Sequence, residues 1–173
     1  MHRNEELAEL MVRYQQGDPA AVTALIESVS PQLHRFFLSQ YVSRRFADDL
    51  LQETWLRIHE VRHTYRPGEP VLPWIYAIAR HTRVDHYRKT RRVEDRERQV
   101  DILPESPAPA APDSRGPDLE AMLRELPESQ REVVLMLKVA DMTIEQVARA
   151  TSSSIGSVKQ KAHRAYEKLR GLL

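Results

Sequence analysis

Residues 99–117 divide this chain, because Pro104, Pro107, Pro109, Pro112 and Pro117 stand there among Ala, Ser and Asp. Proline fixes φ and lacks an N–H, and it pushes the residue before it out of the helical region. A segment of that composition buries no core and favours extended conformations, so it reads as a Pro/Ala-rich linker. Whatever folds must fold on either side of it. That leaves residues 1–98 and residues 118–173, the second near the lower size limit for independent stability.

Both sides carry helical periodicity. Aromatics make up only 6% of the chain, glycine is scarce, and alternating apolar stretches bounded by turns are absent, so an all-α fold is expected. A first helix runs from about Asn4 to Gln16 and stops at Gly17, a good C-terminal cap. Asp18 and Pro19 supply an N-cap and a first helical residue for a helix to about Ser28. Ser30 and Pro31 repeat the device for a helix to about Tyr41, and a longer one spans Ala47 to His63. Pro67, Gly68, Pro70 and Pro73 make Tyr65 to Pro73 a loop, and a further helix leaves it at Pro73 or Trp74. Beyond the linker, Asp118 caps the next helical pattern.

The end of the chain points most directly to a ligand. Thr143 and Gln146 make a capping box, in which hydroxyl and amide each satisfy an orphan N–H. Ile144, Val147 and Ala148 share one apolar face; Ser152, Ser153 and Ser154 then break the helix and offer a new N-cap. The following helix is expected to bury Ile155, Val158, Ala162, Ala165 and Leu169, and to show Ser157, Lys159, Gln160, Lys161, His163 and Arg164 to solvent. Two helices joined by a tight turn, the second basic outside, suit the major groove of DNA. Lys and Arg neutralise phosphates, while Gln or Arg pair with base edges.

Charge is unevenly spread although the net is only +1. Arg80, Arg83, Arg88, Lys89, Arg91, Arg92, Arg96 and Arg98 crowd one stretch, and Lys159, Lys161, Arg164, Lys168 and Arg170 another. Two basic regions far apart in sequence suggest two contacts with a polyanion. Tyr65, Tyr76 and Tyr87 lie near the first and are of a type that stacks on exposed bases. Acidic residues gather elsewhere, at Asp48, Asp49 and Glu53 and at Asp118, Glu120, Glu125 and Glu128. Asp49, Gln52 and Glu53 share one helical face, opposite Leu51, Trp55 and Ile58, and suit a basic partner surface. Only His59 stands near those carboxylates at a ligand spacing, which is too few for a metal site, and neither a cofactor nor a catalytic residue is expected.

The composition, 41% hydrophobic and 29% charged over 173 residues, fits a water-soluble globular chain. No apolar run approaches the roughly 20 residues that cross a bilayer. The polar, acidic N-terminus M-H-R-N-E-E-L is unlike a signal peptide, and the absence of cysteine excludes disulfides and thiolate zinc sites. A cytoplasmic location is expected.

Three strings resemble the extracytoplasmic-function sigma factors of bacterial RNA polymerase, within the sigma-70 family. D-D-L-L-Q-E-T-W-L-R-I, from Asp48 to Ile58, resembles the region 2 helix that docks on the polymerase clamp. P-W-I-Y-A-I-A-R-H-T-R-V-D-H-Y-R-K, from Pro73 to Lys89, resembles the helix that opens the −10 element. S-I-G-S-V-K-Q-K-A-H-R-A-Y-E-K-L-R, from Ser154 to Arg170, resembles the region 4 recognition helix for the −35 element. L-P-E-S-Q-R-E-V-V at Leu126 to Val134 and G-D-P-A-A-V at Gly17 to Val22 resemble further family segments.

The resemblance implies two helical domains, a region 2 bundle in residues 1–98 and a region 4 helix-turn-helix in residues 118–173, joined by the linker over 99–117. It implies that Asp49, Gln52 and Glu53 hold the clamp helices of the largest subunit of core RNA polymerase, and that region 4 meets the flap. It places Tyr65, Arg80, His81, Arg83, Arg88 and Lys89 on the −10 element, and Ser157, Lys159, Gln160, Lys161 and Arg164 on the −35 duplex. It further implies promoter DNA and an anti-sigma factor, often in the inner membrane, as partners. The family commonly has Asn at His81, Gly at Ser152 and Arg at Lys161. Two other readings of the residues are a stand-alone helix-turn-helix regulator, which leaves the acidic stripe without a task, and a nucleic-acid enzyme using Asp85 and His86.

Overall fold

The computed structural model describes residues 2–40, 44–97 and 119–173. The linker expected over 99–117, its boundary at residue 98, the cap at Asp118 and the helix end at Tyr41 lie outside the described residues. The described residues form eight α-helices: α1 His2–Gln15, α2 Pro19–Leu38, α3 Arg44–Val61, α4 Val71–Glu97, α5 Leu119–Arg124, α6 Glu128–Lys138, α7 Ile144–Thr151 and α8 Ile155–Leu172, with a short 3-10 turn at Arg62–Thr64. The all-α expectation holds.

Local signals set most of the boundaries. Gly17 sits at φ +85° after α1, a conformation glycine adopts without steric cost. Asp18 caps α2, its carboxylate accepting from the N–H groups of Ala20 and Ala21, and its carboxyl is held low, first of all by the hydrogen bond from Arg13. The expected break at Ser30 and Pro31 is absent, however: α2 runs unbroken to Leu38 with Pro31 inside it. Proline removes one backbone bond, but Val29, Leu33, Phe36 and Phe37 continue one buried stripe across the site. Ser30 is no cap; its hydroxyl accepts from Trp55 Nε1 at 2.9 Å. The loop after α3 is also shorter than expected, because Val71, Leu72 and Pro73 already form the first turn of α4, where a missing N–H costs nothing.

Helices α1 to α4 pack on one another around Leu25, Leu33, Phe36, Phe37, Leu50, Ile58, Ile75 and Tyr76. Phe36 meets Tyr76 edge to face, ring centroids 5.2 Å apart. Fully burying each such side chain contributes about 1.5–3 kcal/mol. The inward face of α3 is Ala47, Leu50, Thr54 and Ile58, with Leu51 and Trp55 half-buried beside it. Thr54 tolerates burial by donating to Leu50 O at 2.6 Å.

In the second half, α8 packs against α5, α6 and α7. Arg131 ties α5 to α6, its guanidinium donating to the carbonyls of Leu123 and Leu126 at 3.0 and 2.9 Å. The two halves are not separate bodies: α7 lies along α4, and the buried residues of both halves form one continuous cluster.

Candidate nucleic-acid interface

The α7–α8 corner is built as its sequence implies. Thr143 and Gln146 close both bonds of a capping box. Ser152 ends α7 in the left-handed region, φ 51° and ψ 42°, so the turn keeps the geometry glycine would give, with a serine held in it. Ser154 caps α8, its hydroxyl accepting from Ser157 N at 3.1 Å. Val158, Ala162 and Ala165 are buried and Leu169 packs at the edge of the core, whereas Ile155, expected inside, is 43% exposed on the first turn. Lys159, Gln160, His163 and Arg164 face solvent, and Ser157 and Lys161 are half-buried. The basic face of α8 therefore stands open, in a form that enters a major groove.

The basic helix α4 is arranged differently. His81, Arg88 and Lys89 are exposed. Arg80 is not free: its Nε donates to Glu132 of α6 at 2.8 Å, and its Nη1 approaches Thr151 O at 3.5 Å. Arg83, mostly covered, binds Glu128 at the start of α6. A third pair, Arg149 of α7 with Glu69 of the loop before α4, spans 3.5 Å at the surface. Glu132 is only 3% exposed; that burial pushes its carboxyl above the usual carboxylate range, against the pull of Arg80 and Arg83.

Tyr65, expected to face DNA, is 3% exposed and presents no ring for stacking. Its hydroxyl donates to Glu69 O at 2.5 Å and its ring meets the edge of Trp74, so it braces the loop before α4. Gln15 of α1 holds the same loop, donating to the carbonyls of Arg62 and Tyr65 at 2.7 and 2.8 Å. Tyr76 belongs to the core, and burial raises its hydroxyl pKa; Tyr87 is 58% exposed, with Arg91 over its ring.

On α3, Asp49, Gln52 and Glu53 all face solvent. Asp49 and Gln52 rim an open groove of about 620 Å³ between α1, α2 and α3, floored by Val22, Ile26, Leu51 and Trp55. Glu53 bonds Arg57 one turn on, at 3.1 Å, and Arg57 also binds Asp85 of α4 at 2.8 Å. That hydrogen bond from Arg57 holds the Asp85 carboxyl below its ordinary value. Asp85 thus fastens α3 to α4, and the ring of His86 packs on Phe46.

Glu128 and Glu132 are the residues that sequence reasoning did not bring to this surface. The visible signal was the acidic group at Asp118, Glu120, Glu125 and Glu128, of opposite charge to the arginine-rich stretch from Arg80 to Arg98.

A helix-turn-helix with a free basic helix places the chain in the class of helical DNA-binding proteins. Sigma-70 region 2 matches residues 25–93, and Sigma-70, region 4 matches residues 118–169. RNA polymerase sigma factor CarQ of Myxococcus xanthus is 33% identical, over 94% of this chain and 95% of its own length. ECF RNA polymerase sigma factor SigF of Caulobacter vibrioides is 30% identical, over 94% and 91%. The chain belongs to the sigma-70 family of RNA polymerase sigma factors, in the ECF group. Among solved structures, CnrH in complex with the cytosolic domain of CnrY shares the fold with a TM-score of 0.72 at 20% identity, over 96% of both chains. Sigma factor RpoE in complex with the anti-sigma factor NepR, from Bartonella quintana, gives 0.71 at 24%, over 87% of this chain and 94% of that one. Among the described residues no helix is long and apolar enough to cross a membrane.

Proposed function

We propose that this protein binds core RNA polymerase in the cytoplasm, directs it to promoters carrying −35 and −10 elements, and helps separate the strands of the −10 element. Residues 118–173 are the −35 reader, residues 1–98 bind polymerase and the −10 element, and residues 99–117 tether the two. In this reading Lys159, Lys161 and Arg164 meet backbone phosphates of the −35 duplex, and Ser157 and Gln160 lie at the end of α8 nearest the bases. The exposed basic face of α8, behind the Ser154 cap, is the observation that carries the proposal. His81, Arg88 and Lys89 meet the melted −10 strand, joined by Arg80 and Arg83 once Glu132 and Glu128 release them. Each contact alone is weak; core polymerase fixes their separation and raises the effective concentration of the second.

Asp49, Gln52 and Glu53 form the polar edge of the polymerase contact, and the groove beside Asp49 and Gln52 receives an apolar side chain from the clamp helices. Charged and apolar recognition side by side fits a basic amphipathic partner helix. The factor performs no bond chemistry of its own. An anti-sigma factor holds it inactive until a signal arrives; the similar sigma factor RpoE forms a complex with the anti-sigma factor NepR.

Run-off transcription with purified core polymerase on a pool of promoter fragments tests the proposal. Discrete transcripts that require this protein are expected. The triple variant Asp49→Ala, Gln52→Ala, Glu53→Ala should lower them on the order of 100-fold, as loss of a hot-spot cluster does, while duplex binding by α8 persists. Full transcription from that variant overturns the polymerase assignment.

A further inference from the structure

The groove between α1, α2 and α3 has two unlike ends. One is acidic: Asp48 and Asp49 line it there, and His34 bonds Asp48 at 2.7 Å. The other is closed by His59, eleven residues beyond Asp48 on α3. At 1.5 Å per residue the two ends lie about 16 Å apart, some three turns of helix. Between them Leu51, Trp55 and Leu56 present apolar surface, and Trp55 Nε1 is already bonded to Ser30.

His59 is exposed on α3, yet its ring is held. Tyr14, almost wholly covered at the end of α1, stacks on the imidazole with ring centroids 5.9 Å apart and planes 25° from parallel. The Tyr14 hydroxyl lies 2.7 Å from His59 Nδ1, its one partner among the described residues. Burial raises the pKa of that hydroxyl, so it keeps its proton and donates. A hydroxyl donating to Nδ1 fixes the neutral ring in the tautomer that carries hydrogen on Nε2. The Nε2–H has no acceptor among the described residues and stands at the free edge of the ring. Arg62, whose guanidinium donates to His59 O at 2.6 Å, adds positive charge at the same end.

On the strength of the polymerase-binding role given to this groove, we propose that His59 is a further docking residue for core polymerase, donating from Nε2 to a carboxylate of the partner helix, and that Tyr14 positions it. The partner helix then lies along α3 in one direction only. A basic side chain sits over Asp48 and Asp49, and an acidic one about eleven residues away sits over His59. The apolar side chain between them sets the depth, and the unlike ends set direction and register. A groove acidic along its whole length would accept the helix either way round.

Amide substitutions separate the two ring nitrogens. Glutamine places an N–H near the position of Nε2, and asparagine places an oxygen near that of Nδ1. His59→Gln therefore keeps the donor into the groove, whereas His59→Asn keeps a partner for Tyr14 and loses that donor. Each unlabelled variant competes with fluorescently labelled wild-type protein for purified core polymerase, read by anisotropy, with duplex binding by α8 as the control for folding. His59→Asn should bind core roughly tenfold more weakly, the effect of one hydrogen bond to a charged group. His59→Gln should recover most of that loss. Tyr14→Phe should weaken binding about threefold beside His59, and not at all when combined with His59→Gln, because an amide has no tautomer to set.

Equal binding by His59→Asn and wild type, or equal weakening by His59→Asn and His59→Gln, overturns the docking role. The same loss from Tyr14→Phe in both backgrounds overturns the positioning role, since a purely structural tyrosine would behave that way. Asp49→Ala cuts the opposite end of the groove. If it weakens binding while His59→Asn does not, polymerase docking stands and the role of His59 falls. If wild-type protein fails to bind core at all, the polymerase reading fails and this inference with it.

Discussion

The helices α4 and α8 carry the same kind of basic face, and the fold treats them in opposite ways. On α8 the exposed cations Lys159 and Arg164 project from a helix whose other side is fully engaged with its own domain. On α4, Arg80 and Arg83 are bound by carboxylates that come from beyond the linker. A basic sequence is therefore not the same as an available basic surface. What decides availability is whether acidic residues elsewhere in the chain reach it, and here Glu128 and Glu132 reach only α4.

The largest effect is expected from undoing the second domain outright. Arg131→Ala strands the carbonyls of Leu123 and Leu126 inside a small unit. A loss of about 2–4 kcal/mol is expected, since each buried group left unsatisfied costs about 1–3 kcal/mol. Duplex binding should disappear while strand binding by α4 improves; loss of both activities would break the contrast between the helices. Thermal unfolding followed by circular dichroism checks the stability part.

Next in size is a comparison of two arginines. Arg164→Ala removes an exposed contact, so duplex affinity should fall about tenfold and the salt slope should shrink by about one. Arg80→Ala removes a strand contact and also loosens the packing of α7 along α4, so its two effects oppose each other. Strand binding should change by less than about threefold, on the order of the difference between two ~1 kcal/mol terms. Equal losses for the two variants, read by fluorescence anisotropy over a salt series, would mean that Arg80 is as free in solution as Arg164.

The smallest effect concerns the corner itself. Ser152 holds a positive φ of 51°. Ser152→Gly should relieve about 1–2 kcal/mol of backbone strain, partly offset by the greater freedom of glycine in the unfolded chain. The melting temperature should rise by a few degrees, with duplex binding unaltered; a drop would show that the serine side chain supports the turn.

Much of the fold was written locally. The capping box at Thr143, the cap at Ser154, the stop at Gly17 and the cap at Asp18 are each decided within four residues, where hydroxyl, carboxylate or missing Cβ acts directly on the neighbouring backbone. The spacing of Val158, Ala162 and Ala165 settled which side of α8 faces inward, and the outward side followed. The sequence strings likewise carried the family, which the comparisons bear out.

Pro31, Tyr65 and Arg80 show where local reading ends. Pro31 carries a strong breaking signal, yet the apolar stripe from Val29 to Phe37 finds a core on both sides of it and the helix continues. Tyr65 looks like a stacking ring in a loop, but Gln15, fifty residues away, holds that loop and Trp74 covers the ring. Arg80 meets a carboxylate fifty-two residues further on. The sequence by itself determined helices, caps, family and the two basic faces, because those depend on near neighbours and on spacing. Only the tertiary structure decided which of the two faces is open, because burial and charge pairing depend on what packs there, whatever its distance along the chain.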